Sequence, residues 1–198
     1  MVALSQSPLT PNEYLRLETE SVVKHEYVDG DVYAMAGASD VHVTIAGNLF
    51  ALLRGHVRGS DCRVYIADMK ARIEACNCFY YPDVMVTCDD RDRETSTYKS
   101  FPKLIVEVLS DSTEAFDRGD KFTDYQTLDT LEEYVIISTR HQRVECFRRT
   151  PDNLWLLQTY SPETEKFELQ SLGFEDAIAA LYEDVELEPT PAPRQELT

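Results

Sequence analysis

The chain has 198 residues, of which 43% are hydrophobic and 10% aromatic, as expected for one folded domain with a sizeable core. It contains no apolar run long enough to cross a bilayer, and its N-terminus lacks the basic start and apolar core of a secretory signal. The net charge of −17 at pH 7 disfavours the usual basic surface of a nucleic-acid-binding protein. We therefore expect a cytoplasmic protein without membrane association.

The first quarter of the chain predicts a helix, a hairpin and a longer helix. Residues 10–13 read Thr-Pro-Asn-Glu, an N-cap with a first-turn proline and a capping-box glutamate, so a helix begins here. Asp29-Gly30 between two β-prone runs predicts a tight hairpin. A second helix is expected from about 40 to 55. Its apolar stripe is Val41, Ile45, Leu49 and Leu52.

The middle of the chain predicts the core of the domain. Strands are expected at 62–74, 79–88 and 101–109, followed by a helix at 114–128 and a further strand at 133–138. The first two strands share a tight turn and should be antiparallel, whereas the last two flank a helix of crossover length and should be parallel. The result is an α/β (α+β) fold with an α-β-β-β-α-β core, in which a mixed sheet is flanked by helices.

The remaining segments add to this core. Residues 89–99 are almost wholly polar and predict an exposed loop. The C-terminal third predicts a hairpin from 142–149 and 154–160, a strand at 164–170 and a short helix at 174–182.

The predicted domain organisation has three parts. It consists of an N-terminal arm (1–9), one domain (10–187) and a Pro-rich tail (188–198) that we expect to be disordered.

Two carboxylates on neighbouring predicted strands carry the strongest functional signal. Asp83 follows a proline where one strand begins, and Glu107 lies inside the apolar run Leu104–Leu109. A glutamate in such a run is costly to bury unless it is paired or bound to a cation. Two acids on adjacent strands can bind a hard divalent cation, and because Asp83 can reach Glu107 this interpretation is favoured. The alternative is a buried ion pair of Glu107 with a lysine or arginine.

Three residues of the predicted helix at 114–128 extend this pattern. Asp117, Lys121 and Tyr125 are spaced i, i+4, i+8 and so share one helix face. If that face looks towards the sheet, Lys121 can reach Glu107. An ordinary surface pair of Asp117 with Lys121 is the alternative.

Further candidates are less specific. Glu26 and Asp68 could each supply a third carboxylate, although an exposed strand pair with Lys70 is the simpler account of Asp68. His42 stands near the start of a helix, where its side chain could point at a strand end, although lone helical histidines are more often structural.

The five cysteines predict neither a disulfide framework nor a metal site. An odd number of cysteines without a secretion signal argues against a disulfide framework, and Cys76-Asn77-Cys78 lacks the partner pair that a zinc site needs.

Two basic clusters could contact phosphates, but each is more simply a solvated surface. They are Arg54/His56/Arg58/Arg63 and Arg140/His141/Arg143/Arg148/Arg149.

Taken together, these motifs resemble the Uma family of restriction-endonuclease-like proteins, formerly a domain of unknown function, within the PD-(D/E)xK nuclease superfamily. The resemblance spans about residues 10–185. It is carried by Pro82-Asp83, Glu107-Val108-Leu109-Ser110, Asp117, Lys121, Tyr125, the hairpin at Glu26–Gly30, His42 and Glu133-Tyr134.

The resemblance implies a restriction-endonuclease-like core, with Asp83, Glu107 and the carbonyl of Val108 as ligands of Mg²⁺ (or Mn²⁺). The superfamily lysine expected two residues after the glutamate is Leu109 here, and Lys121 fits its role from the following helix. It further implies that Asp117 and Tyr125 support Lys121.

Three hypotheses follow. The first is an endonuclease that hydrolyses DNA phosphodiesters with metal-activated water, and that works as a homodimer. The second is a nuclease-fold protein that binds nucleic acid or a protein partner without cutting. The third is a structural dimer whose Glu107 is simply paired with Lys121. No phosphate-binding loop or dinucleotide motif is present, so no nucleotide cofactor is expected.

Overall fold

A computed structural model of the chain describes residues 8–187. Its helices are α1 (Pro11–Glu20), α2 (Asp40–His56), α3 (Glu114–Arg118), α4 (Asp120–Tyr125) and α5 (Ile178–Leu181). Its first strands are β1 (His25–Val28), β2 (Asp31–Ala34), β3 (Arg63–Ile66), β4 (Lys70–Ile73), β5 (Cys78–Tyr80), β6 (Val84–Thr87) and β7 (Tyr98–Lys99). The others are β8 (Pro102–Val108), β9 (Glu133–Ile137), β10 (Val144–Arg149), β11 (Trp155–Tyr160), β12 (Lys166–Leu169) and β13 (Phe174–Ala177).

The N-terminal helix and hairpin form as the local sequence dictates. Thr10 and Glu13 form the reciprocal hydrogen bonds of a capping box at the start of α1. Strands β1 and β2 pair antiparallel across a turn in which both Asp29 and Gly30 have positive φ, at 46° and 104°. A Cβ at Gly30 would lie 2.7 Å from Cβ of Pro8, so the turn requires glycine for space as well as for conformation.

The central sheet has six strands in the order β11-β10-β9-β8-β6-β3. Strand β6 runs antiparallel to both β3 and β8, while β8 and β9 are parallel and are connected through α3 and α4. The predicted mixed sheet with flanking helices is therefore confirmed.

The two longest predicted core strands are each divided between two sheets. Positive φ at Ala67 separates β3 from β4, and Tyr81-Pro82-Asp83 separates β5 from β6. Strands β4 and β5 leave the central sheet and join β1, β2 and β7 in a five-stranded sheet of order β2-β1-β5-β4-β7. The single continuous strands expected at 62–74 and at 79–88 are therefore wrong, and the second sheet was not predicted.

Strand β8 separates two apolar cores, since alternate residues of a strand face opposite sides of the sheet. Leu104 and Val106 pack with Ile45 and Leu49 of α2. On the opposite side, Ile105 belongs to a cluster with residues of α4, β4 and β5. Glu107 has the parity of Ile105 and therefore faces the α4 side.

Three predicted segments differ from the structure. The helix expected at 114–128 is interrupted at Gly119, and the helix expected at 174–182 is strand β13 followed by the short α5. The loop at 89–99 is not simply exposed. Asp92 is buried and accepts hydrogen bonds from the Thr87 hydroxyl and the amides of Ser100 and Phe101, which fixes the loop against the sheet.

The cysteines also differ from expectation, because Cys62 and Cys88 form a disulfide. They stand immediately beyond the Arg63–Thr87 pair of the antiparallel strands β3 and β6, and so lie opposite each other. An odd cysteine count does not exclude a single bridge of this kind.

The expected arm at 1–9 lies mostly outside the described residues, and the expected tail at 188–198 lies wholly outside them. Leu9 is described, and its amide donates to the Gly30 carbonyl at 2.8 Å. No helix among residues 8–187 combines the length and apolar character needed to cross a membrane.

Candidate active site

Asp83 and Glu107 lie opposite each other on neighbouring strands. The Val84–Val106 pair of the antiparallel strands β6 and β8 sets this register. The Val108 amide donates to Oδ2 of Asp83 at 2.7 Å, and Nε2 of His42 lies 2.8 Å from Oδ1. Both oxygens of Asp83 are thus held, one by the adjacent strand and one by helix α2.

Glu107 is 3% exposed and is contacted from helix α4. Its Oε1 lies 2.9 Å from Nζ of Lys121 and accepts a hydrogen bond of 3.1 Å from the hydroxyl of Tyr125. These contacts satisfy the expectation that a glutamate in an apolar strand must have partners.

Lys121 is the cationic centre of the site. Its Nζ lies 3.2 Å from Glu26 and 3.5 Å from Asp117, in addition to Glu107, and the side chain is 6% exposed. In the described part of the chain, no other lysine or arginine forms an ion pair with these three carboxylates. The ring of Tyr80 covers the ammonium at 5.5 Å.

The pKa values of Glu107, Asp117 and Lys121 are all raised. Burial raises the pKa of Glu107 well above its usual value, and the charges of Asp117 and Asp83 add to the rise, with Lys121 opposing it. Burial likewise raises the pKa of Asp117. Burial alone would lower the pKa of Lys121, but Glu107 and Glu26 outweigh it, so the pKa is raised and the ammonium form persists.

His42 has one engaged and one free nitrogen. Burial lowers its pKa, but the hydrogen bond and charge of Asp83 outweigh burial, so the net shift is upward. Its Nδ1 is buried without a hydrogen-bond partner among residues 8–187. A buried polar atom of this kind calls for a water or ligand. Ser39, the N-cap of α2, fixes the first turn that carries His42.

The structure brings together seven predicted residues and leaves out one. One group of direct contacts joins Lys121 to Glu26, Glu107 and Asp117, and Glu107 to Tyr125. Beside it, His42 contacts Asp83, which accepts from the amide of Val108, the residue after Glu107. Asp68 is excluded, because its exposed carboxylate pairs with Lys24 in the break between β3 and β4.

The prediction that Asp117, Lys121 and Tyr125 share one face of a continuous helix is wrong, because the helix is interrupted. Asp117 belongs to α3 and the other two residues to α4, with Gly119 between the helices. Asp117 stays within reach of Lys121 across the break. The Tyr134 hydroxyl, on β9, donates to the Asp117 carbonyl at 2.8 Å and holds α3 in place.

Two residues of the site escaped the sequence analysis. The Tyr81 amide donates to Oε1 of Glu26 at 3.2 Å and orients that carboxylate towards Lys121. Tyr80 contributes the ring that covers the ammonium. Their position in the sequence, as an aromatic pair immediately before Pro82-Asp83, could have indicated that they belong to the site.

The donor chemistry of the site fits a hard divalent cation. Carboxylate oxygens with a peptide carbonyl are the ligands Mg²⁺ prefers, and Mg²⁺ retains several waters. Three carboxylates (Glu26, Glu107 and Asp117) contact the one lysine, and Asp83 lies opposite Glu107 beside His42, so a cation would offset an excess of acids. Asp83, Glu107 and the Val108 carbonyl would hold the ion, and the free Nδ1 of His42 would accommodate a water near it.

The two predicted basic clusters differ, because the arginines of the second have protein partners and, within the described part of the chain, those of the first do not. Arg148 binds buried Glu133 at 2.7 Å, and Arg149 donates to the carbonyls of Gln126 and Leu128. By contrast, Arg54, Arg58 and Arg63 are exposed and form no ion pair among residues 8–187.

A cavity of about 450 Å³ opens where β8 ends, and its lining begins at Leu109. Three arginines line it, Arg118, Arg140 and Arg143, together with the acids Asp111, Glu114 and Glu145. The carboxylates around Lys121 are not part of this lining.

The fold and this acid–lysine site define a restriction-endonuclease-like class of protein. The profile of the Uma2 family, described as "Putative restriction endonuclease", matches residues 11–180. The chain belongs to the Uma2 family.

The chain is also similar to two proteins from Synechocystis sp. (strain ATCC 27184 / PCC 6803 / Kazusa). The protein named "Uncharacterized protein slr1290" is 39% identical over 174 residues, covering 88% of this chain and 91% of that protein. "Uncharacterized protein sll1609" is 33% identical over 170 residues, covering 85% and 96%.

A solved structure shares the fold. It is titled as a putative nuclease belonging to DUF820 from Anabaena variabilis, with a TM-score of 0.74 and 15% identity. The match covers 90% of this chain and all of the other. The predicted nuclease-like fold is confirmed by this likeness.

Proposed function

We propose that this protein is an endonuclease that hydrolyses DNA phosphodiester bonds with the aid of Mg²⁺ or Mn²⁺. The observation that carries the proposal is the buried Glu107 opposite Asp83, with Lys121 at 2.9 Å. Bound between the carboxylates, the cation would lower the pKa of a coordinated water and offset charge on the phosphate.

The roles of the side chains follow from their contacts. His42 and the Val108 amide hold both oxygens of Asp83, which fixes that ligand in one orientation. The Tyr125 hydroxyl donates to Oε1 of Glu107 and restrains that side chain in turn. Because Lys121 stays protonated, it acts as a cation and hydrogen-bond donor towards water or phosphate rather than as a base.

Hydrolysis joins a water oxygen to phosphorus and breaks the bond to the leaving sugar oxygen, which takes up a proton. Lys121 can donate hydrogen bonds to the phosphate oxygens as negative charge builds on them. Its low exposure keeps these interactions strong, since bulk water does not screen them.

DNA contact at the arginine-lined cavity is part of the proposal. Arg140 is 58% exposed there and pairs with the exposed Asp111 at 2.6 Å. A surface pair of this kind is weak, so a phosphate can replace the aspartate. The Arg140→Ala variant should weaken DNA binding and reduce its salt dependence by about one phosphate contact.

A homodimer is the proposed assembly, and β11 is its proposed surface. This strand is the outer strand of the central sheet, and Leu154, Leu156 and Leu157 beside or within it are 64%, 61% and 53% exposed. A second copy covering them would remove an exposed apolar edge from water. Leu156→Lys with Leu157→Lys should give a monomer in sedimentation velocity if the wild-type chain is a dimer.

Cleavage of supercoiled, linear and single-stranded DNA with Mg²⁺ and with Mn²⁺ tests the function. The wild-type chain should nick or linearise DNA only with metal, and Asp83→Asn and Glu107→Gln should abolish the products. Asp61→Asn is the matched control, because Asp61 is 89% exposed and lies outside the site.

A non-catalytic nuclease-fold binder is the second candidate, and one observation favours it. Asp83 is held by His42 and the Val108 amide, and Glu107 contacts Lys121 and Tyr125, so these acids have protein partners without a cation. Calorimetric titration with Mn²⁺ separates the two candidates, because the enzyme must bind metal at these acids and a non-catalytic binder need not.

A further inference from the structure

A second cluster of potential metal ligands lies on the turn between β4 and β5. Cys76 and Cys78 stand on this turn, and Asp124 approaches from helix α4. One Sγ from each cysteine and one carboxylate oxygen all lie within 4.8 Å of one another. Among residues 8–187 this is the one group of three such side chains whose ligand atoms converge so closely.

The surrounding contacts hold these groups in position. The Tyr80 hydroxyl donates to Oδ2 of Asp124 at 2.6 Å, and Sγ of Cys78 lies 3.9 Å from the same oxygen. The turn itself is fixed through Asn77, whose amide group binds the Tyr27 hydroxyl and whose carbonyl accepts from Arg72. Cys78 is fully buried, while Cys76 and Asp124 are half-buried, so an ion could enter from their side.

The ligand set differs in kind from that of Asp83 and Glu107. Two sulfurs and one carboxylate select a softer ion such as Zn²⁺ over Mg²⁺. Three protein ligands also leave a fourth tetrahedral position for water. The hydrogen bond from Tyr80 orients the carboxylate, as partners of metal ligands usually do.

We propose that Cys76, Cys78 and Asp124 form a Zn²⁺ site that ties the β4–β5 turn to helix α4. Asp124 supplies the partner that the Cys-x-Cys motif lacks in sequence, 46 residues beyond Cys78.

The site would bear on the candidate active site without being part of it. Helix α4 carries Lys121 three residues before Asp124 and Tyr125 directly after it, and Tyr80 contacts both Asp124 and Lys121. Metal binding would therefore restrain the helix that positions Lys121. The inference does not rest on the nuclease proposal, because it needs only the two thiols and the carboxylate.

Titration of the reduced protein with Co²⁺ tests the site, because Co²⁺ replaces Zn²⁺ and reports its ligands by absorption. We expect one equivalent to give intense visible bands of tetrahedral Co²⁺ with thiolate-to-metal charge transfer in the near ultraviolet. Zn²⁺ should displace it. Cys78→Ser and Asp124→Asn should each weaken binding by about tenfold or more.

Three controls separate this site from others. Cys146→Ala removes a free thiol elsewhere in the fold and should leave the bands unchanged. The Cys62→Ser/Cys88→Ser variant should also keep them, which excludes the thiols released by reduction. Glu107→Gln should keep them as well, so failure of the nuclease proposal would not remove the signal.

The absence of a charge-transfer band, or its persistence in Cys78→Ser, would overturn the proposal. Cys76→Ser alters a half-buried position and serves where Cys78→Ser does not fold. A second readout is thermal: Zn²⁺ should raise the Tm of the wild-type chain but not of Asp124→Asn. An equal rise in both would also contradict the proposal.

Discussion

Replacement of Lys121 by methionine should destabilise the fold severely. The side chain is 6% exposed, and its ammonium lies within 3.5 Å of Glu26, Glu107 and Asp117. Methionine keeps the apolar stem but removes the charge that compensates three carboxylates. Removing one partner of a buried pair costs about 3–5 kcal/mol, because it leaves uncompensated buried charge.

The cost can be measured as the free energy of unfolding in urea at pH 7. For a domain of this size the same loss corresponds to a fall in Tm of roughly 6–20 °C. Lys166→Met is the matched control. Lys166 pairs with Glu175 at 2.5 Å but is 61% exposed, so its loss should change stability little.

A double-variant cycle locates the effect. Glu107→Gln should cost less than Lys121→Met, since the lysine retains Glu26 and Asp117. The combined variant should be more stable than the sum of the two losses predicts, by about 1–3 kcal/mol, because the two groups contact directly. If Lys121→Met were no more harmful than Lys166→Met, the account of Lys121 as the charge centre would be wrong.

Three further perturbations test separate parts of the structure. His42→Ala removes the 2.8 Å contact to Asp83 and should weaken Mn²⁺ binding, measured by calorimetry, by about 10–100-fold. An unchanged affinity would contradict the role of His42 in orienting Asp83. The pKa of Glu145 is lowered: burial raises it, but hydrogen bonds from two arginines outweigh burial. Its stabilisation is therefore full above the unfolded pKa of about 4.3 and is lost as pH falls through the lower folded pKa, so Glu145→Gln should reduce the acid sensitivity of urea unfolding. Reduction of Cys62–Cys88, which closes a 26-residue separation, should cost about 3 kcal/mol, and a Cys62→Ser/Cys88→Ser variant should show no response to reductant.

The parts of the fold that the sequence predicted are those set by local rules. The capping box at Thr10, the Asp29-Gly30 hairpin and the buried stripe through Ile45 and Leu49 depend on neighbours within one turn or one hairpin. The parallel pairing of β8 with β9 followed from the length of the connection alone.

The division of strands between two sheets could not be read from the sequence. The break at Ala67 requires positive φ at an alanine, which no propensity predicts. Around Pro82, β5 and β6 are buried at every position, so no alternation marks where one strand ends and the next begins. The interruption at Gly119 was more accessible, since glycine weakens a helix, but its effect depends on packing of α3 against β9.

The candidate site shows the same contrast. Glu107 could be singled out because a charge inside an apolar strand demands a partner, and that argument is local. Choosing Glu26 over Asp68 as the acid near Lys121 needed the three-dimensional path of β1 beside β5. Asp124 could not be paired with Cys76 and Cys78 for the same reason.

Metal-dependent cleavage in a pair of matched variants tests the nuclease account most directly. Supercoiled DNA is incubated with Mn²⁺ and the wild-type chain, Asp83→Asn or Asp61→Asn, and the initial rate of nicking is measured. The account predicts cleavage by the wild-type and Asp61→Asn chains, and a rate lower by on the order of 100-fold or more in Asp83→Asn. Equal rates in Asp83→Asn and the wild-type chain would contradict it.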